Sequence, residues 1–361
     1  MADLDLTPKP HAMHKTRREL TWQLAGLFTL AAYGLNAEHT RAAAQETWEL
    51  KVSSFLPPVH QQQAVIFAEW TKELAERSGG RLKLTHFPAQ QMGPLQRHFD
   101  LARQGVADIA FVLHSGTPGR FPLTELAHLP FLMPSGEVAA QVLMDLLPEH
   151  LAKEHEGVRV LYLFSHAPGS IHTRSKPVRT LADFKGLRIR HSSTVVADML
   201  AAYGATPVGV VPNEIAEAMN KGTIDGIFMA YDGVFGFRLG NSVKYTTELK
   251  CYVATFAVVM NPRSYEKLPP DLRKLIDDTT GREAARKVGR AWDEIENPGK
   301  KYMLESGDTI IELTPEARAE LVKASAPVVE KRLAELEGKG LPARIVYEKM
   351  KALVAKYDAN R

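Results

Sequence analysis

The chain has 361 residues, 45 % of them hydrophobic and 24 % charged, which is enough for two domains with cores of their own and excludes disorder as the default. Forty-five basic against 42 acidic residues leave a formal net charge of +3, and the cations are scattered, so a nucleic acid is not an expected partner. The single cysteine, Cys251 in CYVATFAVVM, leaves no intramolecular disulfide or thiolate zinc site and reads as a core residue.

From Met13 the chain runs MHKTRRELTWQLAGLFTLAAYGLNAEHTRAAAQETW: a basic stretch, an apolar stretch from Leu20 to Leu35, then Ala42-Ala43-Ala44 before Gln45. This is the layout of a secretory signal with an A-x-A cleavage site, so residues 1–44 are expected to be a leader and the protein periplasmic. The apolar run contains Gln23 and falls short of the ~20 residues a membrane span needs. Arg17-Arg18 after Thr16 suits twin-arginine export, but such a pair is equally at home in any basic leader.

WELKVSSFL puts Trp48, Leu50 and Val52 on one face, the period of a strand, and a helix is expected over 61–77, ended by Ser78-Gly79-Gly80. RLKLTHF, QMGPLQRHFDLARQGVA and DIAFVL follow as strand, helix and strand. After the Pro-rich GTPGRFPLTELAHLPFLMPSG come a helix near Glu137 to Glu154, the strand VRVLYLF, and SHAPGSIHT, which reads as a loop. GLRIR, SSTVVADMLAAYG with Ser192 as N-cap, ATPVGVV, NEIAEAMNKG and TIDGIFM then alternate strand and helix. YVATFAVVMN reads as a further strand, and the tail from Pro269 is nearly all helix. The alternation predicts an α/β fold with mostly parallel sheets covered on both faces.

No H-E-x-x-H, G-x-S-x-G or G-x-x-x-x-G-K-[ST] is present, so no catalytic residue is expected. His60, His114, His166, His172 and His191 fall at strand ends, where imidazole can donate to an anion or bind metal. None has a carboxylate or second histidine at ligand spacing, and His11 with His14 lies in the leader, so no metal or cofactor is expected. The series Gly233, Gly236, Gly240 lacks the strand-to-helix setting of a dinucleotide loop and reads as a turn, and Asp277-Asp278 reads as a solvated helix face. Arg190 ends GLRIR just ahead of a helix. Ligands in open α/β sheets sit at the carboxyl ends of strands, where a guanidinium can grip a carboxylate through two parallel hydrogen bonds. The alternative is a surface arginine paired with an acid such as Asp183.

RTLADFKGLRIR, followed by a helix, ATPV, a second helix and KGTIDG, resembles the central signature of the TRAP-type solute-binding proteins, the C4-dicarboxylate-binding superfamily. SSFLPPVH, SGGRLKL with PAQQMGP, ARQGVADIA, TPGRFPLTELAHLPFL and FAVVMNPRSYEKLPPDLR follow in the family's order, so the resemblance runs from Trp48 to about Gly307. It implies a two-domain periplasmic binding protein (type II-like) that closes a cleft on a small organic acid and hands it to small and large membrane permease subunits. Domain I is expected from residues 45–168 plus 256–297, and domain II from 169–255 plus 298–361. A long helix spanning both is expected in PPDLRKLIDDTTGREAARKVGRAWDEIE, with Leu272, Leu275, Ile276, Val288 and Trp292 as its apolar stripe.

In the family the arginine ending the GL-x-I-R strand holds the ligand carboxylate, and here the matching residue is Arg190. A second arginine of many relatives falls, without a gap, at Ser170, while a shifted register would bring Arg174 forward. Ser170, His166 and His172 offer hydrogen bonds without a permanent charge, which points to a monocarboxylate: a 2-oxo, 2-hydroxy or aromatic acid. Met229, Ala230 and Tyr231 replace the polar or indole side chains of relatives, and Phe55 and Phe256 either wall the site or pack the core. The expected ligand-binding residues are Arg190, Tyr231, Ser170, Phe55, His114, Met229, His172 and Phe256. A ligand sensor docking on a membrane receptor and an exported enzyme on the same scaffold are the alternatives.

Overall fold

The computed structural model describes residues 46–359, so the expected leader, its cleavage site and the His11–His14 pair lie outside the described residues. β1 (Trp48–Ser53), α1 (Ala68–Arg77), β2 (Leu82–Phe87), α2 (His98–Gln104) and β3 (Ile109–Leu113) open the first sheet, with β1 parallel to both β2 and β3. α3 (Gly136–Leu146), capped by the Ser135 hydroxyl accepting from the Val138 N–H, leads to β4 (Arg159–Ser165). The chain then enters a second sheet through β5 (Gly169–Thr173), β6 (Arg188–His191), α4 (Thr194–Ala202), β7 (Thr206–Gly209), α5 (Ile215–Asn220), β8 (Gly226–Met229), α6 (Tyr231–Gly236) and β9 (Tyr245–Tyr252). It returns to the first sheet as β10 (Thr255–Met260), continues through α7 (Pro262–Lys267), α8 (Pro270–Asp278) and α9 (Gly281–Glu305), and adds β11 (Thr309–Ile311) to the second sheet. α10 (Pro315–Gly338) and α11 (Ala343–Asp358) finish it. The strand orders are β2-β1-β3-β10-β4 and β11-β9-β5-β8-β6-β7.

The sheets are mixed where mostly parallel ones were expected: β10 runs antiparallel to β3 and β4, and β5 antiparallel to β8 and β9. The strand β5 occupies GSIHT, which reads as loop because glycine and serine hide the alternation; all five of its residues are buried between two neighbours. YVATFAVVMN is two strands, divided at Val253-Ala254 where the chain passes from one sheet to the other. The cap of α4 is Ser193, whose hydroxyl accepts from the Val196 N–H at 3.3 Å, and not Ser192. Nor is 269–296 one helix, because α8 ends at Asp278 and Gly281, at φ +82°, turns the chain where α9 begins.

The spine is therefore α9 alone, and two glycines let it approach both halves. A Cβ on Gly289 would stand 2.4 Å from the Gly136 carbonyl oxygen, and one on Gly299 would stand 2.7 Å from that of Tyr231. Thus α9 crosses α3 beside the first sheet and α6 beside the second. Leu272, Leu275, Ile276, Val288 and Trp292 all bury in one core with Phe111, Phe164 and Phe256. The helix α11 sets Val346 and Met350 into the cluster holding Val142 and Leu143 of α3 and Val259 of β10. The apolar face of this last helix thus joins the first sheet's core, although residues 298–361 were expected with the second domain. No helix among the described residues is long and apolar enough to cross a membrane.

Candidate functional site

The strand β6 lies between β7 and β8, parallel to both, with Arg190 opposite Val208 and Ile227. Arg188, at the start of the strand, is satisfied internally: its Nε and Nη2 donate to the two Asp225 oxygens at 3.0 and 2.7 Å, so the acid of KGTIDG serves the fold. Arg190, at the carboxyl end, has no such partner. Its side chain is buried, with Nε donating to the Val210 carbonyl at 3.0 Å and Nη1 to that of Phe228 at 3.4 Å. Asp183 does not pair with it, being engaged in a capping box with Thr180. Burial lowers the Arg190 pKa, yet a guanidinium stays charged in a protein, and a buried charge without a counter-ion is costly.

Arg190 lies in the wall of a half-open cavity of about 50 Å³. Phe55 and Phe256 contribute from the first sheet's side, Met229 and Tyr252 from the second, Asp232 and Phe237 from α6 and its end, and Trp292 from α9. His60, His166 and Ser192 complete the polar lining. The apolar walls are rigid because they are also core: the Phe256 ring is 5.0 Å from that of Trp292, Phe55 is 5.4 Å from Phe111, and Trp292 Nε1 donates to Gln62 Oε1 at 2.8 Å. An outer cleft sharing Leu113, Arg190, Ser192 and Pro212 adjoins it, and His191 and Glu125 face that cleft. A wider depression at Glu137, Arg286 and Arg290 is a surface ion-pair cluster, its carboxylate already gripped by both arginines.

Four of the eight expected residues meet in the cavity: Arg190, Phe55, Met229 and Phe256. The other four lie outside its lining. Tyr231 turns away, its hydroxyl donating to Glu248 Oε1 at 3.2 Å and its ring edge-on to His172. His172 is fixed in the second sheet, with Nδ1 2.8 Å from Thr246 Oγ1 and Nε2 donating to the Met229 carbonyl at 3.1 Å, and burial lowers its pKa to about 4. Ser170 sits on β5 opposite Met229. His114 is enclosed in the first lobe, 3.0 Å from His155 and 2.9 Å from Thr255 Oγ1. Arg174 donates to the Met219 and Asn220 carbonyls at the end of α5, so a shifted register does not place it in the cavity.

His166 does reach the cavity, but as a fixed neutral ring. Its Nε2 accepts from the Ala254 N–H at 2.9 Å, so its Nδ1 must donate to the Ala167 carbonyl at 2.5 Å, and burial lowers its pKa. Tyr252, Trp292 and Asp232 are lining residues that the sequence reading did not select. The first two stand in apolar runs that read as core. Asp232 is masked by the glycines around it, which form α6 and not a turn. A Cβ on Gly233 would meet the Met229 Sδ at 2.7 Å, and one on Gly236 the His60 ring at 2.3 Å, so these glycines let both side chains pack against the helix.

Two α/β sheets linked by a long helix, with a buried cation in an apolar cavity whose walls come from both, define a two-domain solute-binding protein. The model of the bacterial extracellular solute-binding protein family 7 (DctP) matches residues 52–336, and the chain belongs to this family, the solute-binding proteins of TRAP transporters. A TRAP solute-binding protein of an unidentified microbe from a marine metagenome, specific for aromatic acid ligands and solved with metahydroxyphenylacetate, is 32 % identical, with a TM-score of 0.84 over 86 % of this chain and 99 % of its own. One from Rhodoferax ferrireducens, solved with copurified benzoate, is 31 % identical at a TM-score of 0.84 over 87 % and 99 % of the two chains. One from Bordetella bronchiseptica, with bound (R)- and (S)-mandelate, is 30 % identical at 0.78 over 86 % and 99 %. The C4-dicarboxylate-binding periplasmic protein DctP of Vibrio cholerae is 27 % identical over 56 % of this chain and 61 % of its own length.

Proposed function

We propose that this chain is the periplasmic binding component of a TRAP transporter, acting without turnover, and that its ligand is an aromatic monocarboxylate held by Arg190. The observation that carries this reading is the buried Arg190 guanidinium, paired only with backbone carbonyls, in a cavity walled by Phe55, Phe256, Tyr252 and Trp292. A carboxylate would occupy the remaining donors as a charge-assisted pair, and the aromatic walls would bury a ring. Among the described residues no lysine or second arginine lines the cavity, which disfavours a second carboxylate. The aromatic acids bound by the relatives from the marine metagenome and Rhodoferax ferrireducens support the same choice. The two sheets would be the cores of two domains that hinge at 166–168, 253–254 and α9, and the closed form would dock on small and large permease subunits.

The test is thermal unfolding of the chain from Gln45 with benzoate, mandelate and succinate, repeated for Arg190→Ala. A ligand at 100 times its Kd stabilises the folded state by about 2.7 kcal/mol. The expected result is a raised Tm with benzoate that Arg190→Ala loses while remaining folded. A larger shift with succinate would defeat the monocarboxylate reading, and an equal response in the variant would remove Arg190 from the site.

A further inference from the structure

Asp232 places a carboxylate in the same cavity as Arg190 and is 4 % exposed. Its Oδ1 is buried and receives no hydrogen bond from the protein. Its Oδ2 faces His60 Nε2 at 3.7 Å, too far for a hydrogen bond but close enough for attraction. The His60 ring is oriented, because Nδ1 accepts the Gln62 N–H at 3.2 Å and so leaves the proton on Nε2, toward Asp232. Behind Asp232, its own N–H donates to Glu296 Oε1 at 3.0 Å, and burial together with the Asp232 charge pushes Glu296 well above the usual carboxylate range.

A buried carboxylate oxygen without a donor carries an unrecovered desolvation cost. It stands in the first turn of α6, and it does not pair with Arg190. We propose that Asp232, oriented by His60, is a specificity-determining acceptor for a ring hydroxyl, so that the cavity selects hydroxy-substituted aromatic monocarboxylates over unsubstituted ones. The inference rests on the aromatic-acid reading of the cavity. A ligand O–H would supply the donor Oδ1 lacks, as a short charge-assisted bond. An analogue without the hydroxyl would leave the oxygen unpaired again, and sites built to bond a hydroxyl reject such analogues strongly. The same charge acts against a second carboxylate, so one residue selects for a hydroxyl and against a diacid.

Calorimetric titration of the chain from Gln45 with benzoate, 3-hydroxybenzoate and 4-hydroxybenzoate tests this, using wild type, Asp232→Asn and Asp232→Ala. Wild type is expected to bind at least one hydroxybenzoate about 10-fold or more tighter than benzoate, the scale of a charge-assisted hydrogen bond. In Asp232→Ala that ratio should fall to near unity. Asp232→Asn, which keeps shape and an acceptor but loses the charge, should give an intermediate ratio and carries the test if the alanine variant does not fold. Benzoate binding to wild type with no preference for either hydroxybenzoate, or a preference that survives in the variants, would overturn this inference alone. Failure of wild type to bind any of the three would overturn the aromatic-acid reading and this inference with it.

Discussion

Arg188 and Arg190 stand two residues apart on β6, one closed by Asp225 and the other by carbonyls alone, and the binding role proposed for Arg190 rests on that difference. The same distinction divides the tyrosines. Tyr231 is spent on Glu248 in the second lobe, whereas Tyr252 lines the cavity, where burial raises the pKa of its phenol and keeps it neutral. Tyr231→Phe is therefore expected to leave the benzoate Kd within about 2-fold while costing roughly 0.5–1.5 kcal/mol of stability for the lost hydrogen bond. Tyr252→Ala should instead weaken benzoate by about 10-fold through lost apolar contact, both read by calorimetry. The place of Arg190 in the cavity wall was legible because a strand end before a helix faces the cleft of an open α/β sheet. Asp232 was not legible, because only its tertiary neighbours show that one oxygen lacks a donor. Four expected ligands, Tyr231, Ser170, His114 and His172, failed to reach the cavity because a polar residue near a strand end can equally face the sheet interior.

The buried histidines also set a pH response. Burial lowers the pKa of His98, His155 and His172 to about 4 and of His128 to about 3, and it lowers His114 and His166 as well. Below the ordinary histidine pKa near 6.5 the unfolded chain takes up these protons and the folded chain does not, so stability is full above that pH and is lost as pH falls. Four carboxyls oppose this: Glu125, raised to about 7, Asp308, raised to about 6, and Glu154 and Glu296, also raised, each contribute stability that is lost as pH rises. The histidines outnumber them, so the ligand-free protein is expected to have a lower Tm at pH 5 than at pH 7.5. Scanning calorimetry across that window would contradict this if Tm were flat or rose on acidification.

At the scale of elements, α9 is where sequence and architecture meet. Its apolar stripe was readable from spacing, but the break at Gly281 was not, since an isolated glycine in a helical pattern is ordinarily tolerated. Gly289 and Gly299 lie inside the helix for the opposite reason, because backbone of α3 and α6 occupies the space a methyl group would need. Gly289→Ala is expected to cost about 1–3 kcal/mol, the range for overpacking a close contact. Gly299→Ala should cost a similar amount and also weaken benzoate binding, since any shift of α6 moves Gly233 and Phe237 in the cavity wall. Gly338, with nothing within 4 Å of an added Cβ at the end of α10, is the control: Gly338→Ala should gain roughly 0.4–1 kcal/mol through the unfolded chain. Equal losses at all three positions, measured by urea unfolding, would refute the close-approach account. The strand β5 shows the converse limit, because its identity depends on partners β8 and β9 that lie far along the chain.

For the whole molecule the decisive fact is that the cavity takes its cation from one sheet and its rings from both. Arg190 belongs to β6, while Phe55 follows β1 and Phe256 lies in β10, so in the proposed function a bound acid would touch both groups only with the halves together. Across the gap, Asn213 Nδ2 donates to the Phe55 carbonyl at a long 3.5 Å. A ligand shifts a two-state equilibrium only by its differential affinity, and here the difference is the apolar wall that an open form withholds. Small-angle scattering is therefore expected to give a smaller radius of gyration with saturating benzoate than without it. Arg190→Ala at the same benzoate concentration should show no contraction, because the anchor that holds the acid in the cleft is gone. An unchanged radius in wild type, with benzoate bound by calorimetry, would mean that the halves do not part, and the acid would then have to enter through the cleft that Arg190 and Ser192 share with the cavity.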